Sequence, residues 1–304
     1  MRISTNTLYQ SGASKLSSLQ VEQAKLQVQA STGKRFNSPS EDPVAAARVL
    51  DVSHLKDVNT SYASVRTTAK NDLGALESSL VNVTNLMTSI QSSLVASGNA
   101  TYSNQERLNI GTELSNSLQS LVALANGKDV NGNYLFAGYQ SQSPAFVTTA
   151  TGVNYAGDDN ALTLQVDSSR QMEVTANGND VFLANGNDVF AKLNDIVTLL
   201  KTPITDATTQ ANFTNGLATA IEGMRVGLDN VLNVRSSVGA KLGELDALDT
   251  AGLDRDLQYK TSLSDLQDLD YTSALSDFTK NQTIIEAAQK TFTATTQLSL
   301  FKFI

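Results

Sequence analysis

Cysteine and tryptophan are absent from the 304 residues, and histidine occurs once. Without cysteine neither a disulfide framework nor a thiolate metal site can form. A chain that cannot cross-link also suits a route in which it travels unfolded. The single histidine, His54, would have to serve any Ser-His-Asp arrangement, yet it lies beside Leu55 within a helical pattern and lacks a strand-turn setting for a nucleophile. It reads as a solvated helix residue. Aromatic residues make up 6% and hydrophobic residues 40%, too few for thick globular layers and better suited to long thin elements with polar faces. An excess of positive charge is missing too: 22 basic against 30 acidic residues leave a net charge of −8, which argues against nucleic acid as a partner. No run of about 18 apolar residues occurs, so membrane insertion is not expected. The opening MRISTNTLYQSGASKL lacks the apolar core of a secretory signal. The expectation is a cytoplasmic chain, or one exported without a cleaved signal peptide.

What the sequence does have is heptad periodicity. Leu8, Gly12, Leu16, Leu19, Gln23, Leu26 and Ala30 alternate in steps of four and three, the period of a coiled-coil face. Several of these positions are small or polar, so such a helix is marginal unless a partner covers it. A stronger seam follows Pro43: Val52, Leu55, Val58, Tyr62, Val65, Ala69, Leu73, Leu76, Leu80, Val83, Met87, Ile90 and Leu94. It predicts a helix from Val44 to Ala96, roughly 80 Å long, stopped by Ser97-Gly98-Asn99. A shorter helix carries Leu108, Gly111, Leu114, Leu118, Leu121 and Ala125. After Leu193, Ile196 and Leu200 the pattern breaks at Pro203. A second long seam then runs from Phe213 through Leu217, Ala220, Met224, Val231, Arg235, Val238, Leu242, Leu245 and Leu248, and more loosely through Leu257, Leu263 and Leu266. A final seam holds Tyr271, Leu275, Phe278, Gln282, Ile285, Gln289 and Phe292.

Between the long seams, from Asp129 to about Asp188, Gly, Asn, Asp and Thr dominate. Asn131-Gly132-Asn133 predicts a turn and YLFAGY after it a strand. Leu162, Leu164 and Val166, then Met172 and Val174, alternate with polar residues as strands do. NGNDVF at 177–182 recurs at 185–190. Calcium-binding turns of the nonapeptide kind need a longer period and more copies, so the repeat reads as paired Asn-Gly turns or a local duplication. Asp158-Asp159 reads as a turn rather than a metal site. The expected fold is mainly α with a small β insertion: a long antiparallel, coiled-coil-like helical rod, with the N- and C-terminal helices paired at one end.

One stretch imitates a phosphate loop. STGKRFNSPSEDP, residues 31–43, holds a Gly-Lys pair, but the first glycine such a loop requires falls on Val28, and Arg35 stands where a hydroxyl should follow Lys34. A bend explains the stretch better. Gly33 can end one helix in a left-handed cap, and Pro39 and Pro43 disfavour helix at the residues before them. Either Ser38 with Glu41, or Asp42 with Pro43 as first helical residue, can start the next helix; the restriction of Asp42 by Pro43 favours the second. Lys34 and Arg35 would sit by the last carbonyls of the first helix. Gly33, Lys34, Arg35, Asn37, Pro39, Asp42 and Pro43 form the candidate inter-domain joint. The acidic run LSDLQDLD, Leu263 to Asp270, reads as a solvated face. At the C-terminus Leu298, Leu300, Phe301, Phe303 and Ile304 are large and apolar, where chain ends are usually polar. They either fold back on this chain or bury against another subunit. With the terminal seams they make a candidate assembly surface of Leu8, Leu16, Leu19, Leu26, Leu275, Phe278, Ile285, Phe292, Leu298, Leu300, Phe301 and Phe303.

Several blocks together resemble the flagellin superfamily, and more narrowly the hook-associated protein 3 family. STGKRFNSPSEDPVAAARVL is similar to that family's N-terminal signature, NGNYLFAGY to its hairpin, and NVLNVRSSVGAKLGELDALD to its second long helix. LSDLQDLDYTSALSDF with LSLF resembles the C-terminal block. The resemblance covers both ends, about two thirds of the chain, but not the insertion with its NGNDVF repeat. It implies a non-enzymatic structural adaptor with no cofactor and no metal, located outside the cell at the hook–filament junction of the bacterial flagellum. The implied partners are hook-associated protein 1, flagellin, further copies of itself in a ring, and a cytoplasmic export chaperone on the C-terminal helix. It implies type III export and end helices that order on assembly. By the same resemblance residues 1–42 and 267–304 are the assembly domain, 43–140 and 187–266 the rod with a β-hairpin, and 141–186 an outward β insertion. A minor flagellin, a secreted coiled-coil effector and a phosphate-using enzyme are the competing readings.

Overall fold

The computed structural model describes residues 5–149 and 152–300. Among them are the helices α1 (Thr5–Thr32), α2 (Pro43–Ser97), α3 (Asn104–Ala125), α4 (Gly178–Phe182), α5 (Val189–Lys201), α6 (Ala207–Gln267) and α7 (Tyr271–Leu300). Strands β1 (Phe146–Thr149) and β2 (Gly152–Tyr155) form one antiparallel hairpin, β3 (Thr163–Asp167) and β4 (Arg170–Glu173) another. The chain is thus mainly α with a small β insertion. It divides into two compact units: Asn59–Leu253, and Met1–Val58 together with Asp254–Ile304.

The unit Asn59–Leu253 contains the large core. From Ala69 to Leu94 the α2 seam is buried as its heptads dictate, and it meets Phe213 to Leu245 of α6. The two helices run antiparallel, because partners rise along one as they fall along the other: Asn59 meets Gly252, Arg66 Asp249, Glu77 Arg235, and Met87 the Gly227 position. Beyond Leu248 the seam passes to Gly252 and leaves Leu257 64% exposed, because apolar residues there slip off the heptad while a polar layer takes their place. Leu55, expected on the α2 seam, is likewise exposed.

That layer was not visible in the apolar pattern. Arg66, 1% exposed, donates to the Asp249 carboxylate and to the Val166 carbonyl of β3 at 3.2 Å. Lys70 shares Asp249 and also reaches Asp246 at 2.7 Å, and the Asn59 amide donates to the Gly252 carbonyl at 2.9 Å. A Cβ on Gly252 would stand 2.5 Å from an Arg66 nitrogen, so close approach of the helices depends on that glycine. Burial pushes the Asp249 carboxyl up, but hydrogen bonds from Arg66 and Lys70 outweigh it and hold the group below its ordinary range.

Helix α3 begins in a capping box absent from the sequence reading: Ser103 Oγ accepts from Glu106 N, and Glu106 Oε2 accepts from Ser103 N at 2.7 Å. Between α3 and α5, Phe136, Phe146, Phe182 and Phe190 stack at centroid distances of 4.9 to 5.5 Å. The insertion therefore contributes to the same core as the helices.

Two local expectations are overturned in this region. YLFAGY is not a strand: Tyr134 makes one bridge to Lys128, and turns follow. Leu135, Phe136 and Ala137 are buried in succession rather than alternately, which no half-buried strand permits. Gly138 has φ +62°, and a Cβ there would lie 2.2 Å from the Asp158 carbonyl. The Asn131-Gly132-Asn133 turn forms, closed by Asp129 Oδ1, which accepts from Asn131 N and Asn133 N at 2.8 Å each. Of the two readings of the NGNDVF repeat, paired turns are overturned and local duplication is left standing: each copy starts a helix. In the first, Asn177 caps α4; in the second, Asp188 caps α5, accepting from Phe190 N and Ala191 N at 2.9 Å. Each copy delivers its Val-Phe pair to the aromatic cluster. Burial raises the Tyr155 phenol to about 12, and its hydroxyl donates within reach of the Phe136 and Asp158 carbonyls. The β1–β2 hairpin, FVTT and GVNY, went unread because its strands are only four residues each and their burial does not alternate cleanly.

Candidate functional site

The smaller unit pairs α1 with α7. Gly12 lies against Phe292, Leu19 O accepts from Asn281 Nδ2 at 3.3 Å, and Ala30 O accepts from the Tyr271 hydroxyl at 3.3 Å, so the two helices run antiparallel. On α1 the half-buried positions are Gly12, Leu16, Leu19, Gln23 and Leu26, as the heptads require; the last step falls on buried Gln29, with Ala30 exposed. Gln29 is drawn inward because its side-chain amide donates to the Arg35 carbonyl. On α7 the seam is corrected by one residue at alternate steps. Phe278, Ile285 and Phe292 lie on it, but Ala274, Asn281 and Ala288 complete it, leaving Leu275 67% exposed and Tyr271, Gln282 and Gln289 exposed as well.

The quality of this packing is the main observation. Among the described residues the buried positions of this unit are Gln29, Ala45, Ala274 and Asn281, all polar or small, while every large buried apolar side chain belongs to the other unit. Meanwhile Val21 and Val28 of α1 and Leu275 and Ile284 of α7 present exposed apolar surface. The side chains of Leu8, Leu298 and Leu300, and residues Phe301 and Phe303 entirely, lie outside the described residues.

Residues 33–43 and 267–270 meet as a double joint. Gly33, at φ +69°, ends α1 by donating its N–H to the Gln29 carbonyl at 2.9 Å, as the left-handed cap predicts. Its own carbonyl accepts from Leu269 N at 2.9 Å, and Arg35 N donates to the Gln267 carbonyl at 2.8 Å, so Lys34 and Asp268 form a two-stranded bridge. Asp42 starts α2: its Oδ1 accepts from Ala45 N at 2.9 Å, with Pro43 as first helical residue. Ser38 and Glu41 instead close a turn, in which Asn37 N donates to the Glu41 carboxylate at 3.3 Å. Arg35 turns to Asp42, 3.1 Å away, rather than to the last carbonyls of α1. Pro39 is exposed within this turn.

Sequence reasoning missed the other half of the joint. Asp270, assigned to a solvated acidic face, caps α7 by accepting from Thr272 N and Ser273 N at 3.0 and 3.3 Å. The pattern Asp-Tyr-Thr-Ser before a heptad run was the available signal. Among the described residues there is no cluster of metal-ligating side chains, and no helix is long and apolar enough to cross a membrane.

Residues 3–141 match the family model for the bacterial flagellin N-terminal helical region, so the chain is similar to flagellin-type proteins. The comparison narrows further. Flagellar hook-associated protein 3 of Salmonella typhimurium is 36% identical across 99% of both chains, and that of Escherichia coli 33% identical across 99% of both. The chain belongs to the flagellar hook-associated protein 3 family. Solved structures share the fold. A putative flagellar hook-associated protein from Vibrio parahaemolyticus superposes with a TM-score of 0.69 at 20% identity, covering 75% of this chain and all of that one. Xanthomonas campestris FlgL gives 0.64 at 18%, covering 70% of this chain and 99% of that one.

Proposed function

We propose that this chain is a structural adaptor of the bacterial flagellum, without catalytic activity, that joins hook to filament by contacting hook-associated protein 1 on one side and flagellin on the other. Copies of the chain form a ring, and α1 and α7 complete their packing as copies meet. One observation carries this reading: among the described residues the terminal unit has an apolar seam but no large buried apolar side chain, while Val21, Val28, Leu275 and Ile284 remain open. An exposed apolar surface of this kind marks an interaction site, and a helix pair too thinly packed to be stable alone gains its order on association. Membership of the hook-associated protein 3 family supports the location.

Within this reading residues 1–42 and 267–304 are the assembly domain. Segments 43–140 and 187–266 are its helical support, and 141–186 serves outward contacts. Leu16, Leu19, Leu26, Phe278, Ile285 and Phe292 hold the pair together, and Leu275 faces a neighbour. The C-terminal helix is the segment an export chaperone covers before the chain leaves the cell. The match to the flagellin N-terminal region favours one other reading, a minor filament subunit. Deleting the gene separates the two. The adaptor reading expects intact hooks with flagellin shed to the medium, and full-length filaments on the deleted cells would overturn it.

A further inference from the structure

We propose that Asn131 is a site of spontaneous covalent modification, converted to aspartate and isoaspartate through a succinimide closed onto Gly132. The sequence has Asn-Gly pairs at 126–127, 131–132, 177–178, 185–186 and 215–216. Glycine offers the least steric resistance to attack by its own main-chain nitrogen on the preceding carboxamide, so by sequence all are alike. The structure distinguishes four of them; the side chain of Asn185 lies outside the described residues.

Asn126 is locked by an exchanged pair with Phe146: its Nδ2 donates to the Phe146 carbonyl at 2.8 Å, and its Oδ1 accepts from Phe146 N at 2.9 Å. Asn177 is buried, its Oδ1 accepts from Asp180 N at 2.7 Å, and Gly178 N is committed to the Phe136 carbonyl at 2.9 Å. Gly216 sits inside α6, where its N–H belongs to the helix ladder. Asn131 differs. It is exposed, its side-chain partner is Asp129 of the same turn rather than a distant residue, and nothing stands within 4 Å of the Cβ direction of Gly132. Its restraints lie within the turn: Asn131 N donates to Asp129 Oδ1 at 2.8 Å and Gly132 N to the Asp129 carbonyl at 3.1 Å, and both open with the turn.

The chemistry balances without a co-reactant other than water. Hydroxide removes the Gly132 amide proton, and the nitrogen attacks Cγ of Asn131, forming the N–Cγ bond. The adduct then breaks its Cγ–Nδ2 bond and releases ammonia, which takes its proton from water. Water next opens the succinimide at either carbonyl, leaving aspartate or isoaspartate. Either product places a second carboxylate beside Asp129. Isoaspartate also lengthens the main chain between the Asn131 and Asn133 nitrogens that Asp129 Oδ1 holds at 2.8 Å, so the turn loses its register.

The test is to hold the purified full-length protein at mildly alkaline pH, sample it over weeks, digest at acid pH, and measure the mass gain at each asparagine. Isoaspartate is scored by labelling with isoaspartyl methyltransferase. The expected result is conversion at Asn131 at least about ten-fold faster than at Asn126 or Asn177, whose local structure must open first. In urea the rates should converge. Conversion at Asn126 or Asn177 as fast as at Asn131 in the folded protein overturns the proposal, as does a rate difference that persists undiminished in urea. Asn131→Gln, whose longer side chain closes a six-membered ring slowly, should remove the label from this peptide alone.

Discussion

Arg66 shows how much one side chain can decide. It is buried, its charge is met by Asp249, and its Nη1 donates to the Val166 carbonyl of the insertion. Removing one member of a buried pair costs more than removing both. Arg66→Met should therefore destabilise the Asn59–Leu253 unit by about 3 kcal/mol, and adding Asp249→Leu should recover part of the loss. Urea midpoints of both variants check this; a single variant as stable as the parent would show that the layer contributes nothing. The pair also has a pH signature. The Asp249 carboxyl is depressed in the folded state, so its contribution is full above the ordinary carboxylate pKa and disappears as pH falls through the lower folded value. Lys70 is raised by its hydrogen bonds to Asp246 and Asp249, so its contribution is full below the ordinary lysine pKa and lost as pH rises through the higher folded value. Unfolding measured across pH should show Asp249→Leu flattening the acid limb, and Lys70→Met reducing both the acid and the alkaline limbs.

At the scale of elements, helix boundaries rest on single capping residues. Asp42 and Asp270 each accept main-chain N–H groups at the start of α2 and α7. Asp42→Ala or Asp270→Ala should cost about 1 kcal/mol in the affected helix, read as earlier thermal loss of circular dichroism. Pro39→Ala with Pro43→Ala should leave helicity unchanged yet impair assembly in a motility assay, if the joint sets the geometry of the terminal pair; unimpaired swimming reduces it to a passive hinge. Gly12→Leu tests the pair itself, since a Cβ at Gly12 already lies 2.7 Å from the Phe292 ring. Freer motion of α1, seen as faster hydrogen exchange, is the expected outcome.

How far the sequence showed these elements follows from what each is made of. The long helices were legible because a core of Leu, Val, Met and Ile repeats without interruption from Ala69 to Leu94, and α2 begins and ends within one residue of the expectation. The α7 seam was half legible: Phe278, Ile285 and Phe292 are large, but the positions between them are filled by Ala274, Asn281 and Ala288, which apolar counting passes over in favour of Leu275. YLFAGY was misread because its apolar run serves a buried turn held by contacts far away in sequence, such as Gly178 N with the Phe136 carbonyl. Of the candidate site, Gly33 and the Asp42-Pro43 start were readable from local chemistry, whereas the bridge to Asp268 needed the second strand of chain.

For the molecule as a whole, the contrast between a well-filled unit and a thinly filled one predicts where it fails first. Limited proteolysis of the monomer should remove the terminal helices early and leave a fragment containing 59–253, because opening free energies follow local packing. Ends that resist as long as the centre would refute ordering on assembly. Substituting Leu275 by Asp adds a charge to an already exposed position, so the monomer's melting should hardly change. Loss of ring formation by analytical ultracentrifugation at matched stability would then mark Leu275 as an interface residue, and unchanged association would remove it from the surface.

The bond between Asn281 and Leu19 joins residues separated by 262 positions, and that from Tyr271 to Ala30 spans 241. Contacts so distant along the chain close late, after shorter loops have already repaid their entropy. During synthesis from the N-terminus, α1 must wait for nearly the whole of the remaining chain before its partner arrives. The clasp is therefore a clock as well as a contact: a refolding signal from α1 and α7 should lag behind that of the central core.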